Sequence, residues 1–389
     1  MAKVAARGDN IVEFPKKSGL KAEKGAMDFT LLFCILILFV AGLSILFSAS
    51  SGANMRSGNV YGPILKQAVL GVCGLVVMFI VSNIDYSIVR RLSGIAYFIG
   101  LGMMFAVPII GFASHGATRQ IDLKIISIQP SEFSKYFLII WLAAQFSVKR
   151  NERADTWDEI RNYVIWIALP VLACFLQSHA SAALVHLAIG GVMVLARGID
   201  KKKMRVLIPL GIIAMIGVIA IVFLTGGYRV ERLMSYLGIN NDDQDIGWQA
   251  NQSMLAVGSG GLFGLGIGNS RQKYSYLPEA ENDYIFAIAA EELGFIGSLI
   301  IIILFMVVIW RGVLIAINCK DSFGSYLAFG ISALIGIQTF INMGVVLKLL
   351  PSTGMQLPLF SSGGTSLMIT LAGFGLLLSI SRNIRASKV

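Results

Sequence analysis

The chain has 389 residues, of which 56% are hydrophobic and only 14% are charged, and its formal net charge is +10. A soluble domain of this length could not bury so much apolar surface, so the composition indicates a membrane protein. The four cysteines form no CxxC pair, and the chain contains no GxGxxG fingerprint and no GxxxxGK phosphate loop. These absences argue against a disulfide framework, a zinc site and nucleotide chemistry.

The chain begins with a polar, basic segment, residues 1–27, which we interpret as a cytoplasmic tail because no small-residue cleavage site follows the first apolar run. Ten apolar segments follow, each long enough to cross or nearly cross a hydrocarbon core of about 30 Å. They occupy residues 28–49, 63–83, 92–113, 132–148, 162–177, 181–197, 206–226, 284–316, 323–349 and 366–381. The sequence therefore predicts an all-α polytopic fold, with one ten-helix membrane domain over 28–382 and a second cytoplasmic tail over 383–389.

Basic residues collect in alternate connections of this pattern. With the amino terminus inside, most of the 32 lysines and arginines fall on inner segments, in compact clusters such as Arg90-Arg91 and residues 201–203. Cytoplasmic loops of membrane proteins carry such an excess. The positive charge is therefore explained by topology, and we expect no nucleic-acid partner.

The longest outer connection, residues 227–283, is rich in Gly, Asp, Glu, Gln and Tyr. Long connections in compact proteins are usually functional or disordered, and we expect an ordered one that lies partly on the membrane surface. Near its end, Glu279 and Asp283 follow Pro278, a residue suited to the first turn of a helix. These carboxylates could complement the helix dipole, or one could act as a base at the membrane boundary. Being four residues apart, the two would share a helix face.

A glycine-rich stretch, residues 258–268, precedes Arg271 and Lys273. Clustered glycines let the backbone turn tightly and approach a ligand closely. The two basic side chains could then meet phosphate oxygens, Arg as a fork and Lys as a point charge. The alternative is a glycine-rich turn with solvated basic residues.

Two further groups of charges lie close to predicted helices. Glu132 and Lys135 are three residues apart near an outer helix end, where they could form a structural pair or contact substrate. Glu291 and Glu292 fall inside the eighth apolar segment, where burial of a charge is costly. We expect these two to be paired with Lys135 or Lys348 instead of acting in catalysis.

The motifs resemble those of the shape, elongation, division and sporulation (SEDS) glycosyltransferases. The resemblance rests on residues 252–294, which include GSGGLFGLGIGNSRQKYSYLPEAENDYIFAIAAEELG, and on residues 129–135, 350–366 and 380–382. The residues of these motifs are more similar to those of the division and sporulation members than to those of the elongation members. One departure is Gln120, which stands where relatives usually carry tryptophan after an arginine.

The resemblance implies a ten-helix bacterial enzyme that polymerises lipid II by β-1,4 glycosyl transfer, with release of undecaprenyl diphosphate. It implies that Asp283 is the catalytic base, with Glu279 as second choice, as an orienter or metal ligand. A divalent cation, Mg or Mn, could stabilise the leaving diphosphate. The substrate-binding candidates are Arg119, Lys124, Glu132, Lys135, Gln252, Ser253, Arg271, Lys273, Lys348 and Ser361.

The resemblance also implies a place and partners. These are the bacterial plasma membrane with both termini cytoplasmic and the active site outside, a class B penicillin-binding protein, and other division proteins. Two other functions stay open on the residues alone: a flippase for the lipid-linked precursor, and a non-catalytic scaffold. A flippase needs a polar path through the bundle, whereas a scaffold would tolerate replacement of Asp283.

Overall fold

The computed structural model describes residues 25–54, 62–114, 117–122, 127–148, 156–224, 246–273, 277 and 280–386. Within these residues the chain forms eleven α-helices and three short strands. The helices are α1 (Phe29–Asn54), α2 (Gly62–Asn83), α3 (Tyr86–Ile110), α4 (Pro130–Val148), α5 (Trp157–Leu176), α6 (Ala180–Arg197), α7 (Lys201–Leu224), α8 (Ile246–Ser259), α9 (Ile285–Asn318), α10 (Ser322–Val346) and α11 (Gly364–Ala386).

All ten predicted apolar segments correspond to long helices, and the all-α polytopic fold class is confirmed. Among the described residues, eight helices are long and apolar enough to cross a membrane; α4 and α7 are the two long helices outside that set. The remaining helix, α8, was not predicted: it lies inside the outer connection 227–283. It exposes the apolar side chains of Met254 and Leu255. Most of the predicted cytoplasmic tail, residues 1–24, lies outside the described part of the chain.

Several helices begin or end at other residues than the predicted apolar segments, among them α3, α10 and α11. Helix α3 begins at Tyr86 instead of 92, because Asp85 caps it by accepting a hydrogen bond from the Ser87 N–H at 3.0 Å. The prediction for α10 runs too far, since the helix ends at Val346 and Lys348 has a φ of +56°. At the carboxyl end, α11 continues to Ala386, so most of the predicted tail 383–389 is helical.

A small antiparallel sheet connects α3 to α4. Its strands, in the spatial order β1-β2-β3, are β1 (Phe112–Ser114), β2 (Ala117–Asp122) and β3 (Ser127–Ile128). No strand was predicted between these two helices, because strands of two to six residues are too short for a clear alternating pattern. Gln120 pairs with Phe112 in this sheet.

Close helix packing forms the core. The most extensive contacts are those between α2 and α11, α9 and α10, α3 and α4, and α1 and α9. Helices α2 and α11 approach so closely that a Cβ added to Gly375 would lie 2.6 Å from the Met78 carbonyl oxygen. Small residues permit such approaches between membrane helices, where packing and not the hydrophobic effect drives association.

The two ends of the bundle differ in chemistry. At the end where α1 begins, here called the Asp28 end, the buried Asp28 carboxylate accepts a 3.0 Å hydrogen bond from Arg311 Nε and caps α1 through the Leu31 N–H. The Asp28 N–H donates to Ser381 Oγ at 3.1 Å, so one residue joins α1, α9 and α11. The opposite end, where α9 begins, is here called the Asp283 end.

Candidate active site

Asp283 lies in a turn two residues before the first residue of α9, and it is half-buried. Residues 280–283 are turns, not helix, so the prediction that Glu279 and Asp283 share a helix face is wrong for Asp283. Glu279 itself lies outside the described residues. Because Asp283 precedes the helix, α9 does not determine how its backbone is oriented.

Donors from elsewhere in the fold hold the backbone of residues 281–283. The Glu281 carbonyl accepts from the Ser362 N–H at 2.8 Å, and the Asn282 carbonyl accepts from Ser361 Oγ at 2.5 Å. The Asp283 carbonyl accepts from Asn342 Nδ2 at 2.9 Å. We call these three bonds the carbonyl clamp. It fixes the segment that carries Asp283 to α10 and to the connection between α10 and α11.

The side chain of Glu281 adds a contact with α1. Its Oε2 accepts a hydrogen bond from Ser50 Oγ at 2.6 Å. The turn is thus held by α1, by α10 and by the connection between α10 and α11, all of them distant from it in sequence. Sequence reasoning missed both Asn342 and Glu281; an asparagine inside an apolar helix was the available signal for the first.

The segment 361–366 links this turn to the start of α4. After the clamp residues, the Gly363 N–H faces Gln67 Oε1 at 3.4 Å, and Thr365 Oγ1 donates to the Ser127 carbonyl at 3.1 Å. Ser366 Oγ then donates to Glu132 Oε2 at 3.1 Å. One short segment therefore positions Asp283 and Glu132 relative to each other.

Glu132 and Lys135 form the buried ion pair that their spacing predicted. The Lys135 ammonium donates to Glu132 Oε1 at 2.7 Å, and the lysine is 3% exposed. Because the carboxylate also accepts from Ser366, it is satisfied at both oxygens. The ammonium donates this hydrogen bond from a buried position next to the start of α4.

The glycine-rich stretch enters a break in α9. Gly294 has φ 69° and ψ −169°, so the helix is interrupted and its neighbouring backbone groups lose their partners. The Leu265 N–H and Gly266 N–H donate to the carbonyls of Glu291 and Glu292, each at 3.0 Å. In return, the Phe295 and Ile296 N–H groups donate to the carbonyls of residues 261 and 262 at 2.9 and 3.1 Å. Irregular backbone at membrane depth is tolerated where protein satisfies it in this way.

A network of buried charges lies behind this break. The Glu291 carboxylate accepts from the Ser270 hydroxyl and from the Arg271 N–H, the latter at 3.0 Å. The Glu292 carboxylate accepts from Ser48 Oγ and lies 3.8 Å from Lys273 Nζ. Both glutamates are at most 1% exposed. The predicted pairing with a lysine holds for Glu292, whose partner is Lys273 and not Lys135 or Lys348, because the chain folds Lys273 back onto α9. Among the described residues Glu291 is held by hydrogen bonds and not by a lysine.

Lys273 is therefore placed differently from the surface phosphate contact that the sequence predicted. It is 4% exposed, and its ammonium donates to Ser48 Oγ at 3.0 Å and to the Gly268 carbonyl at 2.6 Å. Arg271, two residues earlier, has an exposed side chain while its backbone is held by Glu291. Of the two basic residues, Arg271 is the one that can reach a ligand at the surface.

Other predicted substrate residues are divided between buried and exposed positions. Ser253 is fully buried and donates to the Val346 carbonyl at 2.9 Å, and Ser361 is 6% exposed with its hydroxyl in the carbonyl clamp. These bonds give both hydroxyls a structural role. Gln252 is buried on α8, whereas Lys348 donates to Asn251 Oδ1 at 3.0 Å near the surface.

The remaining two candidates are Arg119 and Lys124. Arg119 lies on β2, but its side chain falls outside the described atoms, and Lys124 lies outside the described residues altogether. Both belong to the connection between α3 and α4, at the Asp283 end. Their predicted contacts with substrate stay predictions.

A small cavity of about 10 Å³ lies beside Ser361 and Ser366. Its volume is that of about one water molecule, so this cavity itself cannot hold a sugar. Among the described residues, no group of three or more His, Cys, Asp or Glu side chains is placed to hold a metal ion.

Comparison with known proteins gives a family for the chain. Residues 29–386 match the family profile of FtsW, RodA and SpoVE, described as "Cell cycle protein". A probable peptidoglycan glycosyltransferase FtsW of Geobacter sp. (strain M18) is 35% identical over 364 residues, covering 92% of this chain and 98% of that protein. Stage V sporulation protein E of Bacillus subtilis (strain 168) is 36% identical over 374 residues, covering 94% of this chain and 100% of that protein.

Solved structures give the same result for the fold. A chain from a study described as "Structural coordination of polymerization and crosslinking by a peptidoglycan synthase complex" is 25% identical with a TM-score of 0.75, covering 92% of this chain and 98% of its own. The rod shape determining protein RodA of Thermus thermophilus is 25% identical with a TM-score of 0.69, and the coverage is 92% and 97%.

Proposed function

Since the chain belongs to the FtsW, RodA and SpoVE family, we propose that it polymerises lipid II into peptidoglycan glycan strands, for cell division or sporulation. Its class is peptidoglycan glycosyltransferase, as the names of its relatives state, and it is a multi-pass membrane protein. The observation that carries the finer proposal is the clamped, half-buried turn at Asp283, at one end of a bundle of apolar helices.

The proposed reaction is one inverting displacement. The 4-hydroxyl of one lipid-linked disaccharide attacks the anomeric carbon of another, forming a β-1,4 bond while undecaprenyl diphosphate leaves. Asp283 accepts the proton of the attacking hydroxyl, since an ionised carboxylate within hydrogen-bond reach can act as a general base. Inversion requires this base on the face opposite to the leaving group.

The diphosphate is already a good leaving group, but its charge needs stabilisation. The exposed Arg271 is suited to this role because its backbone is held by Glu291 while its side chain lies at the surface, where the guanidinium can form a fork with phosphate oxygens. The Lys135 ammonium is a second donor of positive charge. A divalent cation, Mg or Mn, is an alternative source of the same stabilisation.

We further propose the sidedness and the partners. The basic clusters lie at the Asp28 end of the bundle, which makes that end cytoplasmic and the Asp283 end extracytoplasmic. Lipid II would reach the Asp283 end laterally from the outer leaflet. A class B penicillin-binding protein, together with other division proteins, is the proposed partner, in keeping with the peptidoglycan synthase complex among the structural relatives.

The test is polymerisation of labelled lipid II by purified protein, alone and with its partner. Asp283→Asn keeps the size of the side chain and removes its charge, and we expect a loss of about 10²- to 10⁴-fold in rate. The matched control is Asp158→Asn at the Asp28 end. Asp158 is 77% exposed, so its replacement should leave the rate unchanged.

Three outcomes decide between functions. Loss of glycan strands in a folded, partner-binding Asp283→Asn variant supports the enzyme and its base. Undiminished polymerisation moves the base elsewhere, with Glu279 next. Wild-type protein that makes no strands, even with its partner, would leave the flippase or the scaffold as the better function.

A further inference from the structure

Asn342 lies one turn before the end of α10 and is 1% exposed. Its Nδ2 donates two hydrogen bonds, to the Asp283 carbonyl at 2.9 Å and to the Met355 carbonyl at 2.7 Å. Both partners can only accept, so the amide must present its NH₂ group to them. The opposite orientation would place Oδ1 against two carbonyl oxygens. The two hydrogen bonds therefore fix the orientation of the Asn342 amide.

The two carbonyls belong to segments that α9 and α10 do not otherwise orient. Asp283 precedes the N-cap residue of α9, Tyr284, so its carbonyl is not part of the helical ladder. Met355 lies in the connection between α10 and α11, which returns to residues 281–282 through Ser361 and Ser362. Asn342 is thus the contact from the core of α10 to the residue that carries the candidate base.

Burying the Asn342 amide costs free energy that good packing does not recover. Among the described residues Asn342 Oδ1 has no hydrogen-bond partner, and its atoms are buried. An unsatisfied buried polar atom is unfavourable, and a leucine of similar volume would fill the site without it. The two donated hydrogen bonds are what an apolar residue cannot supply.

We propose that Asn342 is a positioning residue for the glycosyl transfer. It holds the backbone at Asp283, so that the carboxylate stays directed at the attacking sugar hydroxyl. This inference rests on the proposed function of Asp283. Asn342 does not touch substrate; it acts through the carbonyl clamp, together with Ser361 and Ser362 on the two preceding carbonyls.

The experiment compares Asn342→Leu with Gln338→Leu in the full-length protein with its partner. Gln338 is 5% exposed and lies one turn earlier on α10, so it is a matched loss of a buried amide. Hydrogen–deuterium exchange of the backbone amides in the segments 281–286 and 353–357 reports whether the hydrogen bonds of Asn342 hold these two segments in place. Lipid II polymerisation, separated into kcat and KM, reports its use in catalysis. A second variant, Asn342→Ser, keeps one donor should the leucine variant fail to fold.

We expect exchange in both segments to rise at least tenfold in Asn342→Leu and to stay unchanged in Gln338→Leu. We expect kcat to fall about 10- to 100-fold, with KM within about twofold, because misplacement of a catalytic group slows the chemical step more than binding. Asn342→Ser should lie between wild type and Asn342→Leu in both measurements.

The exchange measurement and the polymerisation assay test different parts of the proposal. Unchanged exchange in Asn342→Leu overturns the clamp, whatever the activity. Faster exchange with an unchanged kcat overturns the positioning role and makes Asn342 merely structural. A wild-type protein that does not polymerise lipid II overturns the proposed function and the positioning role with it, while the exchange arm still reports the clamp.

Discussion

Gly264 and Gly294 lie in backbone contact, because the glycine-rich stretch passes through the break in α9. A Cβ added to Gly294 would be 2.2 Å from the Gly264 backbone nitrogen, and one added to Gly264 would be 2.1 Å from the Glu292 carbonyl oxygen. Neither position can therefore carry a side chain without movement of the other segment. This contact joins the buried glutamates of α9 to the loop that presents Arg271.

The first prediction concerns this contact. Gly294→Ala should destabilise the protein by about 3 kcal/mol, because the φ and ψ of residue 294 are accessible essentially only to glycine and the new methyl group would overlap the loop. The measurement is the apparent melting temperature in detergent. Gly258→Ala is the control, since residue 258 lies in α8 with open space around its Cβ position. Equal melting temperatures for the two variants would contradict the close contact.

The second prediction concerns the ion pair between Lys273 and Glu292. Lys273→Met should cost about 3–5 kcal/mol, because it leaves a buried carboxylate without its cation. The double variant Lys273→Met/Glu292→Gln should recover part of that loss, since the unpaired charge is then gone. Thermal unfolding of the three proteins gives the order.

An exposed pair provides the comparison for this prediction. Arg161 and Asp158 are 3.0 Å apart and 68% and 77% exposed, so Arg161→Met should cost no more than about 1 kcal/mol. If Lys273→Met is no more harmful than Arg161→Met, the buried network does not hold the loop. A double variant less stable than the single one would argue for Glu292 acting through Ser48 instead.

The third prediction separates the two functions that the sequence allowed for Glu132 and Lys135. Exchanging their charges in Glu132→Lys/Lys135→Glu keeps an ion pair at the same spacing, so we expect a melting temperature close to that of the wild type. If Lys135 has the proposed role, we expect polymerisation to fall about 100-fold, because a carboxylate would then face the substrate phosphate in place of the ammonium. The single variant Lys135→Met should lose both stability and activity. Full activity of the exchanged pair would show that the pair is only structural.

Structural features that depend on residues close together in sequence could be predicted, whereas those that depend on distant residues could not. The ten long helices follow from the sequence because a bilayer about 30 Å thick demands runs of about 20 apolar residues. The pair formed by Glu132 and Lys135 follows as well, since residues three apart meet on one helix. The break at Gly294 does not, because a glycine inside an apolar segment is equally compatible with a continuous helix.

The sequence by itself determined the fold class, the ten long apolar helices and the region of the chain that carries Asp283. Only the tertiary structure decided which groups meet there. Ser48 and Glu292 are 244 residues apart, and Asn342 and Asp283 are 59 apart. Such pairs depend on how helices pack and where a loop re-enters the bundle, and no local periodicity encodes this. For the same reason Lys273, read as a surface cation, proves to be a buried partner of Glu292.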